Sequence, residues 1–190
     1  MKFILTGTHN SGKSTIVEKY KNNPDYNIMG ELVRSLSLEP NFLFLPTDKE
    51  RYGFSEIALL NFYMGTAKAY NILKQKKHWI YDRCIIDPLY YIRYFNVQVP
   101  LSYQNKDCTL YAYGISLVTE LILDGWFKDA IILLLKPIPI VKDDGFRLQG
   151  DTIQSDIFNI AKETLNVLSL PYKEVTVEQA EEIIKNKELL

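Results

Sequence analysis

Short apolar runs alternate along the chain with segments in which apolar residues recur every three or four positions. The apolar runs predict five strands, at Lys2–Thr6, Tyr26–Met29, Trp79–Tyr81, Ala130–Leu135 and Tyr172–Val177. The periodic segments predict helices, at roughly Lys13–Lys21, Tyr52–Gln75, Leu89–Phe95, Tyr113–Phe127, Thr152–Leu168 and from Glu178 onward. Because a predicted helix separates each strand from the next, the pattern indicates βαβ units, an α/β fold and a parallel sheet.

Two stretches show neither period and carry Pro, Asn and Ser. They are "SLSLEPNFLFLPTDK" and "NVQVPLSYQNKDCTLYAYG", which predict long loops at about 35–51 and 96–113. Loops of this length inside a compact domain are usually functional or mobile. We therefore expect them to contribute to a site.

Composition narrows the class of protein further. With 190 residues, 47% of them hydrophobic and 24% charged, the chain is predicted to form one globular domain. The 22 basic and 23 acidic residues nearly cancel, so the overall charge indicates neither a nucleic-acid partner nor an anionic membrane. The two cysteines lack CxxC spacing, which suggests neither a disulfide framework nor a structural zinc site. The first residues do not resemble a signal peptide, and "IILLLKPIPIV" is too short to cross a bilayer. We expect a cytoplasmic protein with no membrane association.

The segment "GTHNSGKST" between the first predicted strand and helix carries the strongest motif. Gly7, Gly12, Lys13 and Ser14 match G-x-x-x-x-G-K-[ST], the phosphate-binding P-loop, in the strand–loop–helix context that the motif requires. The glycines allow successive backbone N–H groups to converge on phosphate oxygens, and the helix that follows adds the positive end of its dipole. Lys13 is expected to reach the outer phosphates, and Ser14 to offer its hydroxyl to Mg²⁺.

The segment "WIYDRC" ends the third predicted strand with an acidic residue and an arginine. The carboxyl ends of parallel strands face the crevice in which α/β sheets bind ligands, so Asp82 is a candidate either to act on Mg²⁺ or to take the proton of an acceptor hydroxyl. Arg83 is a candidate to hold a phosphate in a bidentate fork, and a surface ion pair is the alternative. Asp87 is either a substrate-binding residue or the cap of a helix that begins with Pro88.

Two further segments carry candidate catalytic side chains. In "MGELVRSL", Glu31 is a candidate base and Arg34 a candidate to orient an acceptor, unless the two form a local surface pair. The Pro- and Gly-containing segment "KPIPIVKDDGFRLQGD" predicts a lid at about 137–151. Arg147 in this lid is expected to stabilise transferring charge, the alternative being a solvated loop charge.

Four segments, taken in order, resemble the P-loop nucleoside and nucleotide kinase group, and most nearly its AAA_28 or NadR-like branch. They are "GTHNSGKST", "GELVR", "YDRCIIDPLYY" and "KPIPIVKDDGFR". The resemblance extends over nearly the whole chain. It implies a single P-loop kinase domain over 1–190, with a five-stranded parallel sheet and helices on both faces. It also implies an acidic–arginine pair at Asp82 and Arg83, and ATP and Mg²⁺ bound at the loop formed by Gly7, Thr8, His9, Asn10, Ser11, Gly12, Lys13, Ser14 and Thr15.

The chain also departs from this group in two respects. Its members commonly carry a second arginine in or just after the lid, where this chain has Gln149 and Gln154, and the loop from Val97 to Gly114 is longer than usual. The missing arginine bears on how the lid would assist catalysis, and the longer loop bears on which acceptor is bound.

We therefore expect an ATP- and Mg²⁺-dependent kinase that phosphorylates a small-molecule nucleoside or nucleotide. In this interpretation Lys13, Asp82, Arg83, Glu31 and Arg147 are the candidate catalytic residues, Ser14 and Asp82 the metal ligands, and the loops at 35–51 and 96–113 face the acceptor. Two alternatives stay open: a kinase acting on nucleic acid, which needs a basic stripe beside the crevice, and an NTP-hydrolysing regulatory switch. A homodimer is compatible with the sequence.

Overall fold

The computed structural model describes residues 1–30, 59–68, 78–95, 101–103, 106–138 and 152–186. The strands are β1 (Lys2–Gly7), β2 (Tyr26–Met29), β3 (His78–Asp82), β4 (Leu101–Tyr103), β5 (Lys106–Cys108), β6 (Ala130–Leu135) and β7 (Tyr172–Val175). The helices are α1 (Lys13–Tyr20), α2 (described over residues 59–68), α3 (Asp87–Tyr94), α4 (Leu110–Leu123), α5 (Ile153–Val167) and α6 (Val177–Lys185). The five predicted strands of the α/β pattern are thus confirmed.

A five-stranded parallel sheet in the order β2-β3-β1-β6-β7 forms the centre of the molecule. Strand β1 lies in the middle, with Leu5 opposite Asp82 of β3 and Gly7 opposite Leu135 of β6. Because all five strands run in the same direction, their carboxyl ends meet at one edge of the sheet. The loop after Gly7 and the residues after Asp82 are therefore neighbours in space, as the parallel arrangement predicts.

Both faces of the sheet are covered, and the period of two along β1 decides which side chain enters which core. Phe3 and Leu5 lie in the core formed with α1 and α6, whereas Ile4 lies in the larger core formed with α2 to α5. All six residues of β1 are buried, as expected for a central strand of a parallel sheet. The expectation of helices on both faces is confirmed.

Capping side chains set where two of the helices begin. The Thr109 hydroxyl accepts a hydrogen bond from the Ala112 N–H at the start of α4. Thr176 and Gln179 form a reciprocal capping box at the start of α6, so that β7 ends at Val175 and Val177 is already helical. The sequence pattern placed Val177 in the strand because an apolar residue at this position suits either element.

The region predicted as a loop over 96–113 differs in part from that prediction. Strands β4 and β5 pair as an antiparallel hairpin, and α4 begins at Leu110 instead of Tyr113. A strand of three residues is too short to show an alternation of apolar and polar positions, so the hairpin left no readable pattern in the sequence. The start of α4 comes from the Thr109 cap, which periodicity does not reveal.

Other predicted segments lie largely outside the described residues. The loop at 35–51 is among them, and of the predicted lid at 137–151 only Pro137 and Ile138 are described. Among the helices that are described, none is long and apolar enough to cross a membrane.

Candidate active site

The segment from Gly7 to Gly12 curls tightly at the carboxyl end of β1. Gly7 and Gly12 have φ angles of 135° and 83°, and Asn10 between them has a φ of 56°. Residues that carry a side chain rarely adopt such backbone conformations. A Cβ atom on Gly7 would lie 2.8 Å from the Leu135 carbonyl oxygen, and one on Gly12 would lie 2.4 Å from Cγ2 of Val177. Both glycines are therefore required by the backbone conformation and by the space around them.

Helix α1 begins at the end of this loop with its first turn open to an anion. Its N-cap residue, Gly12, offers no side chain to the first N–H groups, and the first turn contains no acidic residue. The positive end of the helix dipole thus lies beside the loop without a capping side chain or an acidic residue in the first turn. An arrangement of this kind binds phosphate.

The Lys13 side chain folds back over the loop and is only 5% exposed. Its ammonium group donates hydrogen bonds to the carbonyl oxygens of Gly7 (3.1 Å) and Thr8 (2.5 Å) and to the Ser11 hydroxyl (2.9 Å). These three acceptors match the three donors of an ammonium group. A phosphate bound by Lys13 must therefore compete with acceptors of the loop itself, and Lys13 also stabilises the loop conformation.

Ser14 and Asp82 meet at the point where α1 approaches the end of β3. The Ser14 hydroxyl donates to Oδ2 of Asp82 at 3.1 Å, and Asp82 is 2% exposed. A hydroxyl and a carboxylate side by side form an oxygen donor set of the kind that Mg²⁺ prefers. No cluster of three or more His, Cys, Asp or Glu occurs among the described residues. Such a pair fits an ion that takes most of its ligands from phosphates and water.

Arg83 and Asp87 form a buried ion pair next to Asp82. The guanidinium Nη1 lies 3.7 Å from Oδ1 of Asp87, and the two residues are 8% and 1% exposed. Oδ2 of Asp87 accepts a hydrogen bond from the Cys84 N–H at 2.9 Å. Arg83 itself has a φ of 74°, which is uncommon for a residue with a side chain. The guanidinium group also lies 5.7 Å from the ring centre of Tyr91.

Burial raises the pKa of Asp87 above its ordinary value, although the cations of Arg83 and Lys13 oppose this shift. Donors from the Cys84 N–H and the Thr6 hydroxyl also favour the ionised carboxylate. Burial likewise raises the pKa of Tyr90, whose hydroxyl lies 3.1 Å from the Thr6 hydroxyl. The polar groups around Asp87 therefore lie close together in a place with little access to water.

Contacts from distant parts of the chain also support the P-loop. The buried Gln154 side chain at the start of α5 donates to the His9 carbonyl at 3.3 Å, and the Ile138 N–H donates to the Asn10 carbonyl at 3.3 Å. Sequence analysis missed the supporting role of Gln154 and the buried pair of Thr6 and Tyr90. The sequence marks Gln154 only as a position where the related kinases commonly carry an arginine. Because Gln154 and His9 are 145 positions apart, nothing local indicated their contact.

The structure brings together only part of the residues predicted for the site. Residues 7–15, Asp82, Arg83 and Asp87 converge at the carboxyl edge of the sheet. Asp87 does not act as the helix cap considered from the sequence, because the N-cap position is Ile86 and the Asp87 carboxylate accepts from Cys84. Glu31, Arg34 and Arg147 lie outside the described residues.

Comparison with known proteins adds a family and a fold. The family model AAA_28, described as an AAA domain, matches residues 2–182. A solved structure of deoxyadenosine kinase from M. mycoides with bound dATP is similar, with 22% identity, a TM-score of 0.66 and 100% of each chain covered. The same enzyme with bound dCTP has 21% identity and a TM-score of 0.64, with 100% of this chain and 99% of that chain covered. No curated protein sequence matches the chain. At these identities the structural likeness shows the fold.

Proposed function

The chain belongs to the AAA_28 family, and we propose that it is an ATP-dependent kinase that phosphorylates a small-molecule nucleoside or nucleotide. The observation that carries this proposal is the 3.1 Å contact between Ser14, which follows Lys13 of the phosphate-binding loop, and Asp82, which precedes the buried Arg83. A loop for the donor phosphates, an oxygen pair for a metal and an arginine beside them are the parts that phosphoryl transfer needs.

In the proposed reaction an acceptor oxygen forms a bond to the γ-phosphorus of ATP, while the bond from that phosphorus to the β–γ bridging oxygen breaks and ADP leaves. Backbone N–H groups of residues 7–15 bind the phosphates, and Lys13 provides a positive charge at the outer ones. The acceptor proton passes to a carboxylate, for which Asp82 and Glu31 are the candidates. The protein contributes mainly position and charge.

Ser14 and Asp82 are the described residues that would hold Mg²⁺. The ion, when bound, neutralises negative charge on the donor phosphates. The Ser14 hydroxyl donates to Asp82, so the two oxygens lie side by side. Arg83, held beside Asp82, adds a fixed positive charge near the place where charge moves in the transfer.

A nucleoside or nucleotide acceptor is supported by the similarly folded deoxyadenosine kinase, which has been solved with dATP, dCTP and the product dCMP. The alternative of a nucleic-acid acceptor has less support, because the net charge of the chain is −1. The roles given to Arg34 in acceptor binding and to Arg147 in a lid stay predictions from the sequence, as do a homodimer and a cytoplasmic location.

The test is a panel of acceptors incubated with the purified protein, ATP and Mg²⁺, in which ADP and phosphorylated acceptor are quantified together. The panel contains ribonucleosides, deoxynucleosides, their monophosphates, an oligonucleotide with a free 5′ hydroxyl, and a sample without acceptor. We expect ADP formation to rise with a nucleoside or a monophosphate, in equal amount with the new phosphoester. Transfer to the oligonucleotide alone, or ADP formation that no acceptor changes, would replace the proposal by one of its two alternatives.

A further inference from the structure

Asp87 is a fully buried carboxylate whose two oxygen atoms face different parts of the same residue, Arg83. Oδ2 accepts from the Cys84 N–H at 2.9 Å, which is the peptide directly after Arg83. Oδ1 faces the guanidinium of Arg83 at 3.7 Å. One carboxylate therefore holds both the backbone and the side chain of the arginine.

The backbone of Arg83 requires such support. Its φ of 74° lies in the left-handed region, which costs a residue with a Cβ atom about 1–2 kcal/mol. The peptide before it is fixed by the Arg83 N–H, which donates to the Leu5 carbonyl of β1 at 3.0 Å. The peptide after it is fixed by Asp87. Both neighbouring peptides are thus tied, and the strained conformation is held from two sides.

The side chain of Arg83 contacts helix α3 at two points. It lies over the first two turns of α3, between Asp87 and the ring of Tyr91, four residues further along the helix. Helix α3 in turn packs into the larger core through the fully buried Leu89 and Tyr90. The position of the guanidinium is therefore tied to a rigid element of the fold.

From this geometry we infer that Asp87 is the positioning residue of Arg83: it holds the arginine in its strained conformation beside Asp82 and does not itself bind the acceptor. The carboxylate is 1% exposed, accepts from the Cys84 N–H and faces the Arg83 guanidinium, while Lys13 and the Thr6 hydroxyl also act on it. The consequence for the reaction rests on the proposed kinase function, but the arrangement of Arg83 does not.

The first experiment therefore needs no activity. The chain contains five arginines, Arg34, Arg51, Arg83, Arg93 and Arg147, so a ¹H–¹⁵N spectrum of the arginine Nε–H groups is simple to assign by substitution. We expect the Arg83 Nε–H of the wild-type protein to exchange with water at least about tenfold more slowly than that of Arg93, which forms an exposed pair with Glu163. Equal exchange rates would overturn the inference, and the measurement itself is made on the wild-type protein.

The second experiment is a double-mutant cycle of Asp87→Asn and Arg83→Ala, with turnover and melting temperature measured for every variant. If Asp87 acts through Arg83, Asp87→Asn should lower kcat about tenfold or more with Arg83 present, with the KM for ATP changed by less than about threefold. With Arg83 already replaced, the same substitution should change kcat by less than about twofold. Asp25→Asn, which changes an exposed aspartate, is the matched control.

Additive losses of kcat would show that Asp87 acts independently of Arg83 and would overturn the inference. A large rise in the KM for the acceptor, with kcat unchanged, would overturn it in favour of direct acceptor binding by Asp87. Failure of the wild-type protein to phosphorylate any acceptor would contradict the proposed function alone, because the Nε–H exchange measurement still decides the position of Arg83.

Discussion

The two ends of the central sheet both bury charged side chains, but in different ways. At the carboxyl end, cations and anions are buried near one another, namely Lys13, Asp82, Arg83 and Asp87. Positive φ angles occur there at Arg83 and in the loop that precedes Lys13. At the amino end, Lys2 is 3% exposed and lies against the ring and the carbonyl oxygen of Trp126. Burial of a charge is common to both ends, so it does not by itself indicate a site. The carboxyl end is distinguished by opposite charges held together on strained backbone.

At the amino end, burial explains the lowered pKa of Lys2. The Lys2 ammonium donates to the Trp126 carbonyl oxygen and lies 4.6 Å from the centre of the Trp126 ring. Burial lowers the pKa of Lys2 to about 8, while the negative charge of Asp129 acts in the opposite direction. Burial of this lysine therefore costs some stability at neutral pH. Each of the following experiments tests this contrast between the two ends.

Lys13→Ala should have the largest effect on activity. Removing its charge from the phosphate-binding loop should lower kcat at least about a hundredfold. The melting temperature should fall by only a few degrees, because Lys13 bonds to the loop and not to the core. The control is Lys21→Ala, which removes an exposed lysine paired with Glu18. Comparable turnover in the two variants would show that the carboxyl end is not the reaction site.

Asp82→Asn should have the next largest effect. The amide of asparagine keeps an oxygen that accepts from the Ser14 hydroxyl but removes the negative charge. Turnover should therefore fall about tenfold to a hundredfold, and a higher Mg²⁺ concentration should be needed for the half-maximal rate. The measurement is turnover against Mg²⁺ concentration. Asp129→Asn at the other end of the sheet should leave both quantities unchanged, and an equal loss there would remove the contrast between the two ends.

Lys2→Met should change the pH dependence of stability and leave turnover unaltered. Because the pKa of Lys2 in the folded protein, about 8, lies below its ordinary value of 10.5, the unfolded chain binds more protons in this interval. The stabilisation linked to deprotonation of Lys2 is therefore fully present above pH 10.5 and is lost as the pH falls through about 8. Between pH 7 and 9.5 the free energy of unfolding of the wild-type protein should gain about 2 kcal/mol relative to Lys2→Met.

Urea unfolding of both proteins across this pH interval provides the measurement. Taking the difference between wild type and variant removes the titration of all other groups, including Tyr20, whose pKa burial raises to about 12. Parallel pH dependences of the two proteins would show that Lys2 reaches water in the folded state.

Tyr26→Phe should have the smallest effect of the four. It removes the hydroxyl that donates to the Ile184 carbonyl at 3.0 Å, a hydrogen bond between β2 and α6. The expected cost is about 1 kcal/mol, which lowers the melting temperature by about 2–4 °C in a protein of this size. Turnover should be unchanged. A loss of turnover greater than the loss of stability would connect the amino end to the reaction after all.

How far the sequence predicted the structure depends on how local each feature is. The five strands and the P-loop were predictable because an apolar run or a spacing of glycines lies within a few neighbouring residues. The hairpin of β4 and β5 was not, because strands of three residues carry no period. The Ser14–Asp82 contact was expected only as a shared metal site, and Asp87 was expected either to bind substrate or to cap a helix.

The sequence by itself determined the α/β pattern, the loop that curls at Gly7 and Gly12, and the types of side chain available to a phosphate. Only the tertiary structure decided which charges meet. Ser14 and Asp82 are 68 positions apart in the chain, and Gln154 and His9 are 145 apart. It also decided that Asp87 faces Arg83 and that Lys2 is buried under Trp126. The physical reason is that local conformation follows from neighbouring residues, whereas burial and the pairing of charges follow from how the strands are ordered in the sheet.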